Sequence, residues 1–249
     1  MKLRDLHVHT TFSDGSDTPE EMLRAAVAMG LETIGFADHA HTAFDESWCM
    51  ASGADTAYRA EISRLKNAYA DQIEVLCGIE QDLYSDTPTD GYDFVIGSVH
   101  YLCRNGVYIP VDESPELLRA AADTHFGGDM YSLCEAYYQA VSELPGRTGA
   151  TIIGHFDLIT KFLERAPLFS PAHARYRAAW RQAANRLLES GLPFEINTGA
   201  ISRGYRTEPY PAAEIRAYLR ARGARFLLSG DSHSANTLCF RFADYAGEV

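Results

Sequence analysis

Nowhere does this chain carry a run of lysine and arginine, or a basic stripe interleaved with aromatic residues. With 22 basic residues against 34 acidic ones the formal net charge is −12, and together these argue against a surface built to follow a nucleic-acid backbone. It leaves room for a small anionic substrate, because surface charge is screened within about 8 Å. No apolar run is long enough to span a bilayer. The opening Met1-Lys2-Leu3-Arg4-Asp5 enters a strand directly, without an apolar signal region. No linker, low-complexity tract or solenoid-period repeat divides the chain. Its 249 residues, 46% hydrophobic, suffice for one large core, so a single domain over residues 1–249 is expected. The five cysteines, Cys49, Cys77, Cys103, Cys134 and Cys239, show no paired spacing, and an odd number cannot all be bridged within one chain. Reduced thiols and a cytoplasmic setting are the expectation.

What the chain does contain is concentrated near its two ends, in Asp5-Leu6-His7-Val8-His9 and Ser229-Gly230-Asp231-Ser232-His233. On a strand, residues i and i+2 share a face, so each segment offers two ligands to one point. Imidazoles and carboxylates make a costly core unless something satisfies them, and a metal ion satisfies several at once.

The theme repeats between the ends. His39, Glu80, His100 and His155 each sit at or just past the end of an apolar run: Thr33-Ile34-Gly35-Phe36, Val75-Leu76-Cys77-Gly78-Ile79, Phe94-Val95-Ile96-Gly97-Ser98-Val99 and Ile152-Ile153-Gly154. Between these runs lie helical stripes: Tyr58, Ile62, Leu65 and Tyr69; Leu133, Tyr137, Val141 and Leu144; Tyr176, Trp180, Ala183 and Leu187. Strand alternating with helix about seven times implies a parallel sheet. Polar residues at successive strand ends favour a closed or nearly closed barrel with one functional mouth. Closure also makes the first and last strands neighbours, which an open sheet would not.

Thr18-Pro19-Glu20-Glu21 reads as an N-cap, a first-turn proline and a capping-box glutamate. It leaves residues 11–17 as a loop at the barrel mouth. Pro211 and Glu214 start a further helix that ends near Gly223. Residues 101–128 are less periodic and read as an elaborated loop with one short helix after Ser114-Pro115.

Taken together, His7, His9, Asp14, His39, Glu80, His100, His155, Asp231 and His233 resemble the metal-binding series of the PHP (polymerase and histidinol phosphatase) family. The flanking Asp93-Phe94-Val95-Ile96-Gly97-Ser98-Val99-His100, Gly154-His155-Phe156-Asp157-Leu158, Glu195-Ile196-Asn197-Thr198-Gly199 and Glu208-Pro209-Tyr210-Pro211 are similar to its histidinol-phosphatase branch. The resemblance implies an α/β fold, a distorted (β/α)7 TIM-like barrel, holding two or three divalent transition metal ions (zinc, iron or manganese). It implies that His7, His9, Glu80 and Asp231 hold one ion, that Glu80 bridges to a second held by His100 and His155, and that Asp14, His39 and His233 hold a third. Asp14 stands where some relatives have histidine, and it also fits a turn residue in Ser13-Asp14-Gly15.

The implied activity is hydrolysis of a small phosphate monoester. The leading expectation is L-histidinol phosphate in histidine biosynthesis; the alternative is another ester, such as a sugar phosphate, nucleotide or phosphotyrosine. An amidohydrolase-type metal hydrolase also begins with His-x-His, but the Asp231-x-His233 ending fits it poorly. Divalent ions polarise phosphoryl oxygens and bring the pKa of water down toward roughly 7. Asp17 and His41, in the first two mouth loops, are the candidates for proton transfer. Lys161 and Arg203 are the candidates for gripping phosphate, with Arg165 and Arg206 nearby in sequence. Asp38 and Asp157 are expected to be loop groups or to orient a neighbouring histidine; Glu195 and Asn197, which share a strand face, either orient ligands, hydrogen-bond substrate or are satisfied structurally, while His125 and His173 receive no role. A small phosphorylated metabolite is the expected partner, with neither nucleic acid nor membrane; the oligomeric state is left open.

Overall fold

Seven short parallel strands curl into a nearly closed barrel in the computed structural model, which describes residues 3–249. Met1 and Lys2 of the expected strand entry lie outside the described residues. In chain order the elements are β1 (Arg4–Val8), α1 (Pro19–Ala28), β2 (Thr33–Phe36), α2 (Asp55–Ala68), β3 (Glu74–Asp82), β4 (Phe94–Ser98), β5 (Tyr101–Arg104), β6 (Val107–Pro110) and α3 (Pro115–His125). There follow α4 (Met130–Val141), α5 (Leu144–Thr148), β7 (Ile152–Ile153), α6 (Ala174–Leu188), β8 (Phe194–Asn197), α7 (Gly199–Ser202), α8 (Ala213–Arg220), β9 (Phe226–Ser229) and α9 (Phe242–Tyr245). The barrel order is β1-β2-β3-β4-β7-β8-β9, every neighbouring pair parallel.

Closure joins the first and last strands, as the sequence implies. Ser232 bridges Val8, with His9 N donating to Ser232 O at 2.9 Å and Ser232 N to His7 O at 3.0 Å. Behind this seam Asp5 is fully buried. Its Oδ1 accepts from Gly230 N (2.9 Å) and His7 N (3.3 Å), and its Oδ2 from Cys239 N (3.1 Å). A Cβ at residue 230 would collide with the Asp5 carboxylate and Ser232 Oγ, so the seam requires glycine there.

The periodic stripes land inward. Tyr58, Ile62 and Leu65 of α2, Leu133, Tyr137 and Val141 of α4, and Tyr176, Trp180, Ala183 and Leu187 of α6 are all buried. Each large side chain so placed contributes roughly 1.5–3 kcal/mol. Truncating Trp180, which lies against Tyr218 with centroids 5.0 Å apart, would cost about 3–5 kcal/mol. Helix α1 starts as read, with Thr18 Oγ1 accepting from Glu21 N and Glu21 returning a bond to Thr18 N.

The segment 101–128 departs from expectation. It holds a β-hairpin, β5 against β6, turned at Asn105 and Gly106, whose φ angles are 54° and 79°. Two successive left-handed residues are what a tight two-residue hairpin needs, and Asn-Gly is its strongest local signal. The helix after Pro115 is 11 residues long, with Ser114 Oγ accepting from Leu117 N at its start.

Candidate metal centre

All of the polar residues read from strand ends meet at one end of the barrel. His7 lies on β1 and Glu80 on β3, while His9, His39, His100 and His155 follow their strands by one to three residues. Asp231 and His233 sit beyond the end of β9 and not on it. Asp231 takes a left-handed backbone (φ 48°), and the pair still turns inward because Ser232 is pinned to β1.

Glu80 is the centre of the cluster. Its Oε2 lies 3.1 Å from His7 Nε2, 3.5 Å from His9 Nε2 and 2.9 Å from His39 Nδ1. Its Oε1 faces the other way, 2.9 Å from His155 Nε2 and 3.6 Å from His100 Nε2, and accepts from Ser98 Oγ. One carboxylate thus addresses two histidine groups with separate oxygens. Asp231 Oδ1 lies 3.4 Å from His9 Nε2 and 4.0 Å from His7 Nε2. Asp14 completes a more open corner, with Oδ2 3.2 Å from His233 Nε2 and Oδ1 3.6 Å from His39 Nε2 and 3.9 Å from His9 Nδ1. His9 therefore faces both the Glu80 group and the Asp14 group.

These donors fit metal ions better than they fit one another. His7 Nε2, both ring nitrogens of His9, His39 Nδ1 and Glu80 Oε2 are buried without a hydrogen bond, although their neighbours are close. Buried polar atoms normally find partners; here they are aimed at shared space. Three sets place their ligand atoms within 4.8 Å of one another: His9, Asp14, His39 and His233; His7, His9 and Glu80; His39, Glu80 and His100. The mixture of imidazole and carboxylate suits zinc, iron or manganese.

Electrostatics binds the cluster tightly. Burial pushes Glu80 up, but His7, His39 and His100 outweigh it and hold the carboxyl well below its usual range. Burial disfavours a proton on His7; Glu195, Glu80 and Asp231 together raise its affinity for one. His9 is driven down, by burial first and then by His233 and His39, so it stays neutral.

A second layer fixes the ligands. Glu195 Oε1 pairs with His7 Nδ1 at 2.7 Å, its Oε2 accepts from His155 N at 3.0 Å, and Asn197 Nδ2 donates to both Glu195 (3.2 Å) and Asp231 (3.3 Å). Asp38 gathers Thr10 N, Thr10 Oγ1 and Ser13 Oγ, shaping the loop that carries Asp14. Asp157 accepts from Ala212 N and lies beside Arg206, away from the cluster. Asp82, unassigned by the sequence reading, accepts from His100 N at 2.8 Å. A Cβ at Gly199 would press within 2.9 Å of Asp231 and Arg203, so only glycine lets the start of α7 pass that close.

Above the cluster opens a cavity of about 460 Å³, lined among others by Trp48, Tyr101, Asp112, Lys161, Arg203 and Tyr205. Lys161 Nζ donates to Asp112 O (2.8 Å) and Oδ2 (3.0 Å). Arg203 holds Asp231 Oδ2 at 3.0 Å and touches His233 Nδ1 at 2.9 Å. Arg165 binds Gly204 O, and Arg206 is buried against Thr160 and Asp157; neither lines the cavity.

The two residues read as proton-transfer groups are not brought there. Asp17 accepts from Ala235 N at 2.8 Å, tying the first mouth loop to the turn after His233. His41 pairs with Glu46 at 2.8 Å and faces a separate cleft beside Met50 and Asp86. Their side chains are spent on loop structure. The sequence reading also missed Trp48, whose ring meets His39 edge-on at 4.6 Å, and Asp112. Only the loop path brings them in, and no local spacing announces it.

The PHP domain family model matches residues 5–199 of this chain; Asp231 and His233 lie beyond that span. The chain is 31% identical to a protein of Deinococcus radiodurans named probable histidinol-phosphatase, over 99% of this chain and 92% of that protein. It is 25% identical to the histidinol-phosphatase of Bacillus subtilis, over 97% of each. Its fold is similar to the crystal structure of histidinol phosphate phosphatase from Lactococcus lactis, complexed with zinc, L-histidinol and phosphate: TM-score 0.74, 20% identity, over 99% of this chain and 94% of that one.

Proposed function

Because the chain belongs to the PHP domain family, we propose that it is a metal-dependent phosphatase that hydrolyses L-histidinol phosphate to L-histidinol and phosphate. The observation that carries this reading is Glu80, one buried carboxylate whose two oxygens serve two groups of histidines at the floor of a cavity that also presents Lys161 and Arg203. The names of the full-length relatives supply the alcohol.

In this reading His7, His9, Glu80 and Asp231 hold one ion, Glu80 with His100 and His155 a second, and Asp14, His39 and His233 a third. Bound there, divalent ions supply Lewis acidity toward the phosphoryl oxygens and make water acidic enough to attack near neutral pH. The protein's own part is positional. Glu195 keeps a proton on His7 Nδ1 and so leaves Nε2 free as a ligand; Ser98 fixes the orientation of Glu80. Lys161 and Arg203 take the outer phosphate oxygens, Lys161 as a point charge held by Asp112 and Arg203 as a fork already anchored on Asp231. Asp17 and His41 are assigned no part in proton transfer.

A panel of phosphate monoesters tests the proposal. Metal-replete protein is expected to turn over L-histidinol phosphate well ahead of sugar phosphates, nucleotides and phosphotyrosine, and chelation is expected to abolish turnover. A flat profile, or preference for another ester, would remove the histidinol assignment.

A further inference from the structure

Outside the metal cluster, three carboxylates face the cavity, and two of them are committed. Asp45 accepts from Ser47 N and Oγ through Oδ1 and from Tyr101 OH, at 2.6 Å, through Oδ2. Asp112 is clamped on Lys161. Glu113 lines the same cavity, is exposed, and among the described residues has no hydrogen-bond or ion-pair partner for its carboxylate.

An uncompensated carboxylate is a poor fit at the mouth of a site for phosphate dianions. Lying within a Debye length of the phosphoryl group, it repels any ester that brings no positive charge of its own. Asp112 and Glu113 are consecutive, with Cα atoms about 3.8 Å apart. The wall of one cavity therefore offers a cation held by one residue and a free anion from the next. That layout matches an ester whose phosphate and ammonium sit on adjacent carbons. The ions, Lys161 and Arg203 treat every phosphoryl group alike, so discrimination has to come from wall groups that do not touch phosphorus.

Resting on the phosphatase reading above, we propose that Glu113 receives the ammonium of the alcohol half, making the enzyme selective for phosphate esters of 1,2-amino alcohols over neutral esters of the same shape. Trp48 and Tyr101, which line the same cavity, lie nearly parallel, 5.9 Å apart at 21°, and give the rest of the alcohol a flat apolar face.

O-phosphoethanolamine and propyl phosphate differ in carrying an ammonium or a methyl at the same place. Metal-loaded wild type and Glu113→Gln are compared on this pair and on L-histidinol phosphate, with kcat and KM separated. The same pair is also run as competitive inhibitors, so that slow turnover still yields a ratio. Wild type is expected to favour the ammonium ester about tenfold. Glu113→Gln should bring that ratio near one, mainly through KM, lower kcat/KM for L-histidinol phosphate by a similar factor, and raise that for propyl phosphate. An unchanged ratio, or equal losses on both esters, overturns the assignment of Glu113. A wild type that prefers the ammonium ester yet ignores L-histidinol phosphate overturns the reading of the previous subsection and leaves Glu113 standing.

Discussion

Replacing Glu80 by glutamine keeps the volume of the side chain and removes one charge from the middle of the cluster. Ser98 Oγ donates to Oε1, so the amide oxygen of the variant stays on that side and its NH2 group takes the place of Oε2. There it faces His7, His9 and His39, now 2.9–3.5 Å from a donor where an anionic ligand had been. In the metal-free protein this is tolerable, because the NH2 group can donate to His39 Nδ1 or His7 Nε2, both without a hydrogen-bond partner. For metal it is not. Of the two sites proposed to share Glu80, the one on the His7 side would lose a ligand outright, while the one facing His100 and His155 would keep a neutral oxygen. Removing one member of a buried charged set costs roughly 3–5 kcal/mol, about a hundredfold to several thousandfold in affinity. The assay is titration in metal-buffered solution followed by elemental analysis, with circular dichroism as the control on folding. Glu80→Gln is expected to fold, to lose metal on dialysis, and to lose phosphatase activity with it. A folded variant holding metal at wild-type affinity would refute the reasoning.

Three further outcomes follow from the same structure. Glu195→Gln, which disturbs the partner of His7 Nδ1 and of His155 N without touching a ligand position, should weaken metal binding by about 10–100-fold; competition with a chelator would expose an unchanged affinity. Lys161→Met should raise KM or lower kcat by about tenfold with metal content retained, and unaltered kinetics would remove Lys161 from the phosphate site. Asp5 is pushed by burial up to about 6 from 3.8, despite its three backbone donors. A carboxyl raised in the folded state contributes stability that is present below the unfolded pKa and lost as pH rises through the folded one. Asp5→Asn lacks that loss, so between pH 5 and 7.5 it should gain on wild type by about 1–2 kcal/mol; denaturation midpoints that run parallel with pH would contradict this.

The convergence of the polar residues was legible because it obeys a period. Histidines and carboxylates at strand ends, recurring at the spacing of a parallel barrel, make poor core, and pairs at the first strand and just past the last one favour closure. The hairpin at Tyr101–Pro110 went unread although Asn105-Gly106 announced it, because its alternation is short and its strands are half exposed. The walls of the cavity were illegible for a different reason. Trp48, Asp112 and Glu113 reach the site by the path of loops, and nothing in their immediate neighbours fixes that path. Asp17 shows the same limit from the other side. Its carboxylate meets a backbone amide 218 residues away, a contact that no local pattern encodes, so proximity in sequence to a ligand loop suggested chemistry where the structure has a tether.

The seam between His7-Val8-His9 and Ser232 has a bearing on biogenesis. During synthesis His7 and His9 emerge ahead of the rest of the site, and their carboxylate counterpart Asp231 comes more than two hundred residues later. Until then the growing polypeptide owns only fragments of a chelating set. On the proposed assignment, hydrolytic competence arrives only after the last strand, and ions taken up then would act as a clasp, favouring the finished barrel over shorter intermediates by mass action.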